Sequence, residues 1–203
     1  MKSRRGRPPG TTGRAAVLTP EQIQIALATA RSRPQLSWRA VIALSVSFGL
    51  GLRAKELCAL LWADVFDPNG RPREILHLKA AYTKGSRTRD VYLAAEWLRK
   101  TLKLYYLDRR PRSLETPLLP SRLGGHLTPT SMARFLKQIY VEAGLPKASS
   151  HSGRRTMITH LAEKGIDLKA ISALAGHSNV RTTALYDENN PTRLARIQGE
   201  VAW

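Results

Sequence analysis

Cysteine is almost missing from this chain: Cys58 is the one thiol in 203 residues. An internal disulfide is therefore excluded, and the apolar run around Cys58 suits a buried small hydrophobe in a reducing compartment. No apolar run reaches the ~18 residues that a membrane span needs. The basic N-terminal stretch lacks the apolar core of a signal peptide, so the expected setting is cytoplasmic. Cysteine, histidine and carboxylates nowhere fall at zinc-ligand spacing, and no glycine-rich phosphate loop is present. Neither a metal centre nor a cofactor is expected, and nucleotide hydrolysis is unsupported. Acids are scarce as well: 15 Asp and Glu stand against 33 Lys and Arg, a net charge of +18. Such a surface implies a polyanionic partner, nucleic acid ahead of a membrane, because no stretch pairs a basic face with a broad apolar one.

What is present is enough for one domain with a core. Hydrophobic residues make up 42% of the chain, which rules out a wholly disordered polymer. Residues 1–18 read as a basic arm carrying Lys2, Arg4, Arg5, Arg7 and Arg14, with no acid and with Gly and Pro interspersed. Arg5-Gly6-Arg7-Pro8 is similar to an AT-hook, whose arginines lie in a narrow A·T minor groove where negative potential is concentrated. A non-specific basic arm is the alternative. Thr19-Pro20-Glu21 signals a helix start and predicts a helix to about Arg31. A second helix, apolar nearly all round, is expected over Trp38–Phe48, followed by a tight turn at Gly49-Leu50-Gly51-Leu52. A third helix is expected from Arg53 through RAKELCALLW, with Leu57, Leu60 and Leu61 inward and Arg53 and Glu56 on one face.

The period then changes. Ile75, His77 and Lys79 alternate with Leu76, Leu78 and Ala80; Thr88, Asp90 and Tyr92 alternate with Arg89, Val91 and Leu93. Two or three short antiparallel strands follow from this, with Lys84 at a hairpin tip between them. Further helices are expected from Ala94 to about Tyr106 and from Thr128-Pro129 to Gly144, on either side of an irregular Pro/Gly-rich stretch.

The stretch from His151 to Tyr186 carries the densest chemistry. Ser149 and Ser150 offer hydroxyls for a helix cap, and the spacing puts His151 and Arg154 on one face of the first turn. Gly165 stops that helix, Asp167 caps a second one, and Gly176 ends it just before His177. Arg presents a planar fork to phosphate oxygens, His moves a proton near neutral pH, and Tyr is a covalent nucleophile once its proton has an acceptor. Spacing alone leaves two readings open: a phosphate-handling site, or a helix-turn-helix facing DNA with basic residues.

Four motifs in order decide between them. GLGLRAKELCALLWADV, TKGSRTRDVYL, HSGRRT and LAGHSNVRTTALY resemble the first arginine box, the lysine hairpin, the His-x-x-Arg box and the final His/Tyr box of the tyrosine recombinases (phage integrase family). The resemblance covers roughly residues 19–187. It implies a mainly helical α+β catalytic domain with a small antiparallel sheet, taken here as residues 19–190. The chain departs from many members at Ser152-Gly153 and Arg155, where those carry Asp-Leu and His. Most members also carry an N-terminal helical domain that closes around DNA; short forms resembling the fimbrial phase-switch recombinases lack it, and the basic arm is expected to replace part of its grip.

The resemblance further implies the roles. Tyr186 attacks the scissile phosphodiester and forms a 3′-phosphotyrosine, releasing a 5′-hydroxyl, so religation needs neither ATP nor metal. Arg53 and Arg154 hold the non-bridging oxygens, His151 assists proton transfer, His177 hydrogen-bonds the same phosphate, and Lys84 protonates the leaving oxygen. Arg4, Arg5, Arg7, Arg87 and Arg155 are the expected DNA contacts beyond that set. The partners are duplex DNA and further copies of the chain, a tetramer on DNA assembled from a free monomer, in a bacterial or phage setting. Residues 191–203, with Leu194, Ile197 and Val201 in one stripe and Trp203 at the end, read as a short helix that needs a surface to cover that stripe, either a neighbouring copy, the favoured reading, or its own domain. Two other functions share these motifs: a DNA-binding or architectural protein built on a recombinase-like core, and a topoisomerase-like nickase.

Overall fold

A computed structural model describes residues 15–34, 37–80 and 88–177, together with 183, 198 and 199. Eight helices and two strands are formed among them, in the order α1 (Pro20–Arg31), α2 (Ser37–Leu50), α3 (Ala54–Ala59), α4 (Trp62–Val65), β1 (Ile75–Leu78), β2 (Arg89–Tyr92), α5 (Glu96–Arg109), α6 (Pro129–Glu142), α7 (Ser152–Glu163) and α8 (Leu168–Ala175). This is the mainly helical α+β architecture with one small antiparallel sheet.

Local signals explain several boundaries. Thr19 caps α1 reciprocally: the Gln22 backbone N–H donates to Thr19 Oγ1 at 3.3 Å, and the Thr19 N–H donates to Gln22 Oε1 at 3.1 Å. Thr128 caps α6 by accepting from the Ser131 N–H at 3.1 Å. Asp167 caps α8 by accepting from the Ala170 N–H at 2.9 Å. The strands pair antiparallel with Leu76 opposite Val91 and His77 opposite Asp90. Leu76, Leu78, Val91 and Leu93 are buried, while Ile75, His77, Asp90 and Tyr92 are exposed, as the alternation predicts.

Helix α2 is the central element. From Ala40 to Phe48 every residue is buried, and the helix lies against α1, α5, α6 and α7. A helix with apolar residues all round has no solvent face to offer, so its neighbours enclose it. Apolar burial runs on into α5 and the stretch after it, where Trp62 stacks on Tyr105 with ring centroids 4.7 Å apart and the Tyr105 hydroxyl donates to the Leu118 carbonyl at 2.7 Å. A second apolar cluster joins α7 to α8 through Ile158, Ala162, Ile171 and Ala175. No helix among the described residues is long and apolar enough to cross a membrane.

Three sequence expectations need correction. Gly49 and Leu50 belong to α2, and the turn narrows to Gly51, whose φ is +61°. Helix α3 does not run through RAKELCALLW: Arg53 is its N-cap and Leu60 is extended, with a separate short helix from Trp62. The cause is tertiary, since Leu60 and Leu61 pair with the stretch after α5: the Leu118 N–H donates to the Leu60 carbonyl at 2.8 Å, and Leu61 bridges Pro117. Finally, the residue capping α7 is His151 instead of Ser149 or Ser150. Ser149 Oγ accepts from the His151 N–H at 3.4 Å, one step outside the helix.

Helices α2 and α7 approach closely at Gly153. A Cβ there would lie 2.3 Å from Ser47 Oγ and 2.9 Å from the Ser47 backbone carbon. The backbone atom cannot yield as a side chain does. Gly153→Ala is therefore expected to destabilise the fold by roughly 1–3 kcal/mol, read as a Tm lower by several degrees. An unchanged Tm would show that the two helices do not approach so closely.

Candidate active site

The site is built where the turn after α2, the start of α7 and the end of α8 meet. Arg53 follows that turn as the N-cap of α3. Its backbone N–H donates to Glu56 Oε2 and its Nη1 donates to Glu56 Oε1, each at 2.8 Å. One carboxylate thus holds the helix start and the guanidinium together. Glu56 is fully buried and also accepts from Arg89 Nη2 at 2.8 Å. This is no surface ion pair: a buried carboxylate is tolerated only because every oxygen is matched by donors and by two cations.

Arg154 enters from the first turn of α7 and is only 4% exposed. Its Nη1 donates to the Gly51 carbonyl at 2.9 Å and its Nη2 to the Ala175 carbonyl. Arg53 Nη2 reaches the Gly176 carbonyl at 3.4 Å. Both arginines are therefore seated on the carbonyls at the end of α8, the terminus where backbone oxygens are left without helical partners and cations are favoured.

Two histidines flank this pair. His151, exposed at the cap of α7, has its pKa pushed down by burial of part of the ring and by the Arg154 and Arg53 guanidinium groups. His177 follows Gly176, and its Nδ1 lies 2.8 Å from Thr183 Oγ1. Burial first, and then Arg154, Arg53 and Arg89, push His177 down to about 4. Both imidazoles are thus neutral at pH 7. The sign follows: a histidine depressed in the fold favours the folded state above its ordinary value of 6.5, and that contribution is lost as pH falls from there toward about 4.

The structure brings Arg53, His151, Arg154 and His177 together. Lys84, Tyr186, Arg87, Arg4, Arg5 and Arg7 lie outside the described residues, as does all of the C-terminal stripe. Arg155 on α7 donates from Nη1 to the Ala15 carbonyl at 2.6 Å, which pins the chain entering α1. Sequence reading missed Arg89. Its signal was nonetheless present, since it occupies the inward phase of β2 with Val91, and a cation on a buried strand face requires a carboxylate to meet it.

The chain matches the model of the Phage integrase family over residues 16–193, and it belongs to that family. It is 33% identical over 162 residues to the tyrosine recombinase XerC of Myxococcus xanthus, an alignment covering 76% of this chain and 51% of that protein. It is 31% identical over 177 residues to XerC of Agrobacterium fabrum, covering 87% and 54%. The chain spans about half the length of these relatives. Among solved structures the fold is similar to XerA recombinase, with a TM-score of 0.72 at 24% identity over 94% of this chain and 68% of that one. It is similar also to XerH site-specific recombinase bound to its difH substrate, with a TM-score of 0.68 at 23% identity over 91% and 54%.

Proposed function

We propose that the chain is a site-specific DNA recombinase that cleaves and rejoins duplex DNA through a 3′-phosphotyrosine on Tyr186. One observation carries this reading: Arg53 and Arg154 converge on the end of α8 beside His151 and His177. Guanidinium donors fixed before the substrate arrives stabilise charge that grows on a phosphate in the transition state. In the reaction, the Tyr186 phenolate attacks phosphorus, the bond to the 5′-oxygen breaks, and Lys84 supplies the proton to that leaving oxygen. His151 assists proton transfer at the phenol, and His177 hydrogen-bonds a non-bridging oxygen. Religation reverses the sequence, with the 5′-hydroxyl as nucleophile and Tyr186 as leaving group. The relatives named as recombinases and the neighbour bound to its DNA substrate support the same reading.

The partner is duplex DNA, in keeping with the +18 charge, and copies of the chain assemble on it in the cytoplasm of a bacterial cell. The test is incubation with a duplex carrying a nicked suicide site, where release of a short strand traps the intermediate. A protein–DNA adduct that survives denaturant and forms equally well in EDTA is expected. Tight binding with no adduct would point instead to a DNA-binding protein on a recombinase-like core.

The division into arm, catalytic domain (19–190) and docking tail (191–203) belongs to the same proposal. Deleting residues 1–14 removes Lys2, Arg4, Arg5, Arg7 and Arg14, so DNA binding should weaken and the slope of log K against log salt should flatten by up to about 0.9 per cation lost. An AT-hook would make the loss larger on A·T-rich flanks. Equal affinity with and without the arm across salt would dismiss both versions.

A further inference from the structure

The three last carbonyls of the α8 end each take an arginine. Ala175 accepts from Arg154 and Gly176 from Arg53, and Leu174 accepts from Nη1 of Arg89. The third arginine comes from strand β2, not from either arginine motif. Its side chain is 9% exposed, and its Nη2 donates to Glu56 Oε2, the same oxygen that caps α3. The turn at Gly176 sits directly on its stem: a Cβ at Gly176 would lie 2.4 Å from Arg89 Cδ and 2.7 Å from Nε. Only glycine fits there, since φ is also +62°.

We propose that Arg89 is a positioning residue for the phosphoryl transfer, bridging Glu56 to the end of α8 and so tying the strand downstream of Lys84 to the arginine–histidine site. The inference rests on the recombinase reading above. Its physical content is the planar fork. One face of the guanidinium meets the carboxylate that orients Arg53, and another donor meets the turn that delivers His177. Without it, Glu56 Oε2 keeps only the Arg53 backbone N–H, the buried carboxylate loses one of its two cations, and the Leu174 carbonyl loses the Arg89 donor. Arg53 and His177 would then be free to drift from the phosphate, and an ångström of drift is costly in a preorganised site. Lys84 lies a few residues upstream in the run TKGSRTRDVYL, so an anchored Arg89 also fixes the point at which the chain enters β2. A positive charge at this position adds to the field that keeps His177 neutral.

The experiment uses the full chain with Arg89→Met and Arg89→Lys, checked for folding by thermal melt. It measures Kd for the uncleaved duplex, single-turnover cleavage of the suicide site, and titration of the histidine rings by NMR. In both variants cleavage should fall by about 10- to 100-fold with Kd unchanged, because the interaction acts on geometry at the reacting phosphate and not on DNA affinity. The His177 midpoint should rise in Arg89→Met and stay low in Arg89→Lys, which keeps the charge but presents one point donor where the fork spans two acceptors. Wild-type cleavage by either folded variant overturns the proposal, as does a loss of cleavage that only follows a loss of DNA binding. Where Arg89→Met does not fold, the cleavage rate of Arg89→Lys decides alone. If the wild-type chain itself forms no adduct, the recombinase reading falls. The His177 titration then decides separately about Arg89, and an unmoved midpoint in Arg89→Met overturns it.

Discussion

Tyr186→Phe is expected to abolish covalent attachment to DNA while leaving DNA binding nearly intact. The substitution removes one oxygen and keeps the ring. In the proposed reaction that oxygen is the atom that bonds to phosphorus, and phenylalanine has nothing to put in its place. Affinity, in the same proposal, is spread over many phosphate contacts by a chain of net charge +18, so the loss of one hydroxyl is a small change. The measurement is a denaturing gel of a labelled suicide duplex beside a mobility shift at matched salt. Adduct formed by Tyr186→Phe would end the assignment of the nucleophile. A chain that neither binds nor cleaves would mean that the substitution had disturbed folding, which a melt would register.

Arg154→Ala should be the next most damaging change, by on the order of 10²-fold or more in single-turnover cleavage. Two effects add. The phosphate loses a pre-placed donor pair, and the Gly51 and Ala175 carbonyls lose the donors that join the turn after α2 to the end of α8. Each buried acceptor left without a partner costs about 1–3 kcal/mol, so a lower Tm is expected as well. Arg154→Lys separates the two effects. It keeps the charge near His151 and His177 but cannot serve two carbonyls and a phosphate with one ammonium. Arg154 is the largest electrostatic cause of the low pKa of both histidines. Their titration midpoints should therefore rise in Arg154→Ala and move less in Arg154→Lys. Cleavage by Arg154→Ala at the wild-type rate would remove this residue from the mechanism.

The same histidine field sets an acid limit. With His177 at about 4, its protonation as the pH falls toward that value places a further cation against Arg154, Arg53 and Arg89. Repulsion of that kind disfavours the assembled site until a phosphate enters to offset it.

Much of this architecture was readable one residue at a time. The starts of α1, α6 and α8 are written in Thr19-Pro20, Thr128-Pro129 and Asp167, because a cap is a bond between neighbours in the chain. The strand faces are written in the alternation of Leu76, Leu78, Val91 and Leu93, because a pleat has a period of two. The family is written in four motifs whose order and residue types are local facts. Arg53, His151, Arg154 and His177 could be named in advance for that reason.

Tertiary structure decided what depends on partners far along the chain. Leu60 leaves the helix that its neighbours favour because Leu118, beyond α5, takes its carbonyl. Gly49 stays helical because α2 is enclosed on every side, and burial outweighs the ~1 kcal/mol cost of a glycine in a helix. Arg53 and Glu56 share a helix face in the sequence, but the burial of Glu56 between two arginines follows only from the arrival of Arg89 from β2. The joining of three arginines on the end of α8 is likewise invisible in one dimension. Their acceptors are backbone carbonyls, which every residue has, so no side-chain pattern marks them. Residue type thus announced Arg53, His151, Arg154 and His177, and packing alone determined what holds them together.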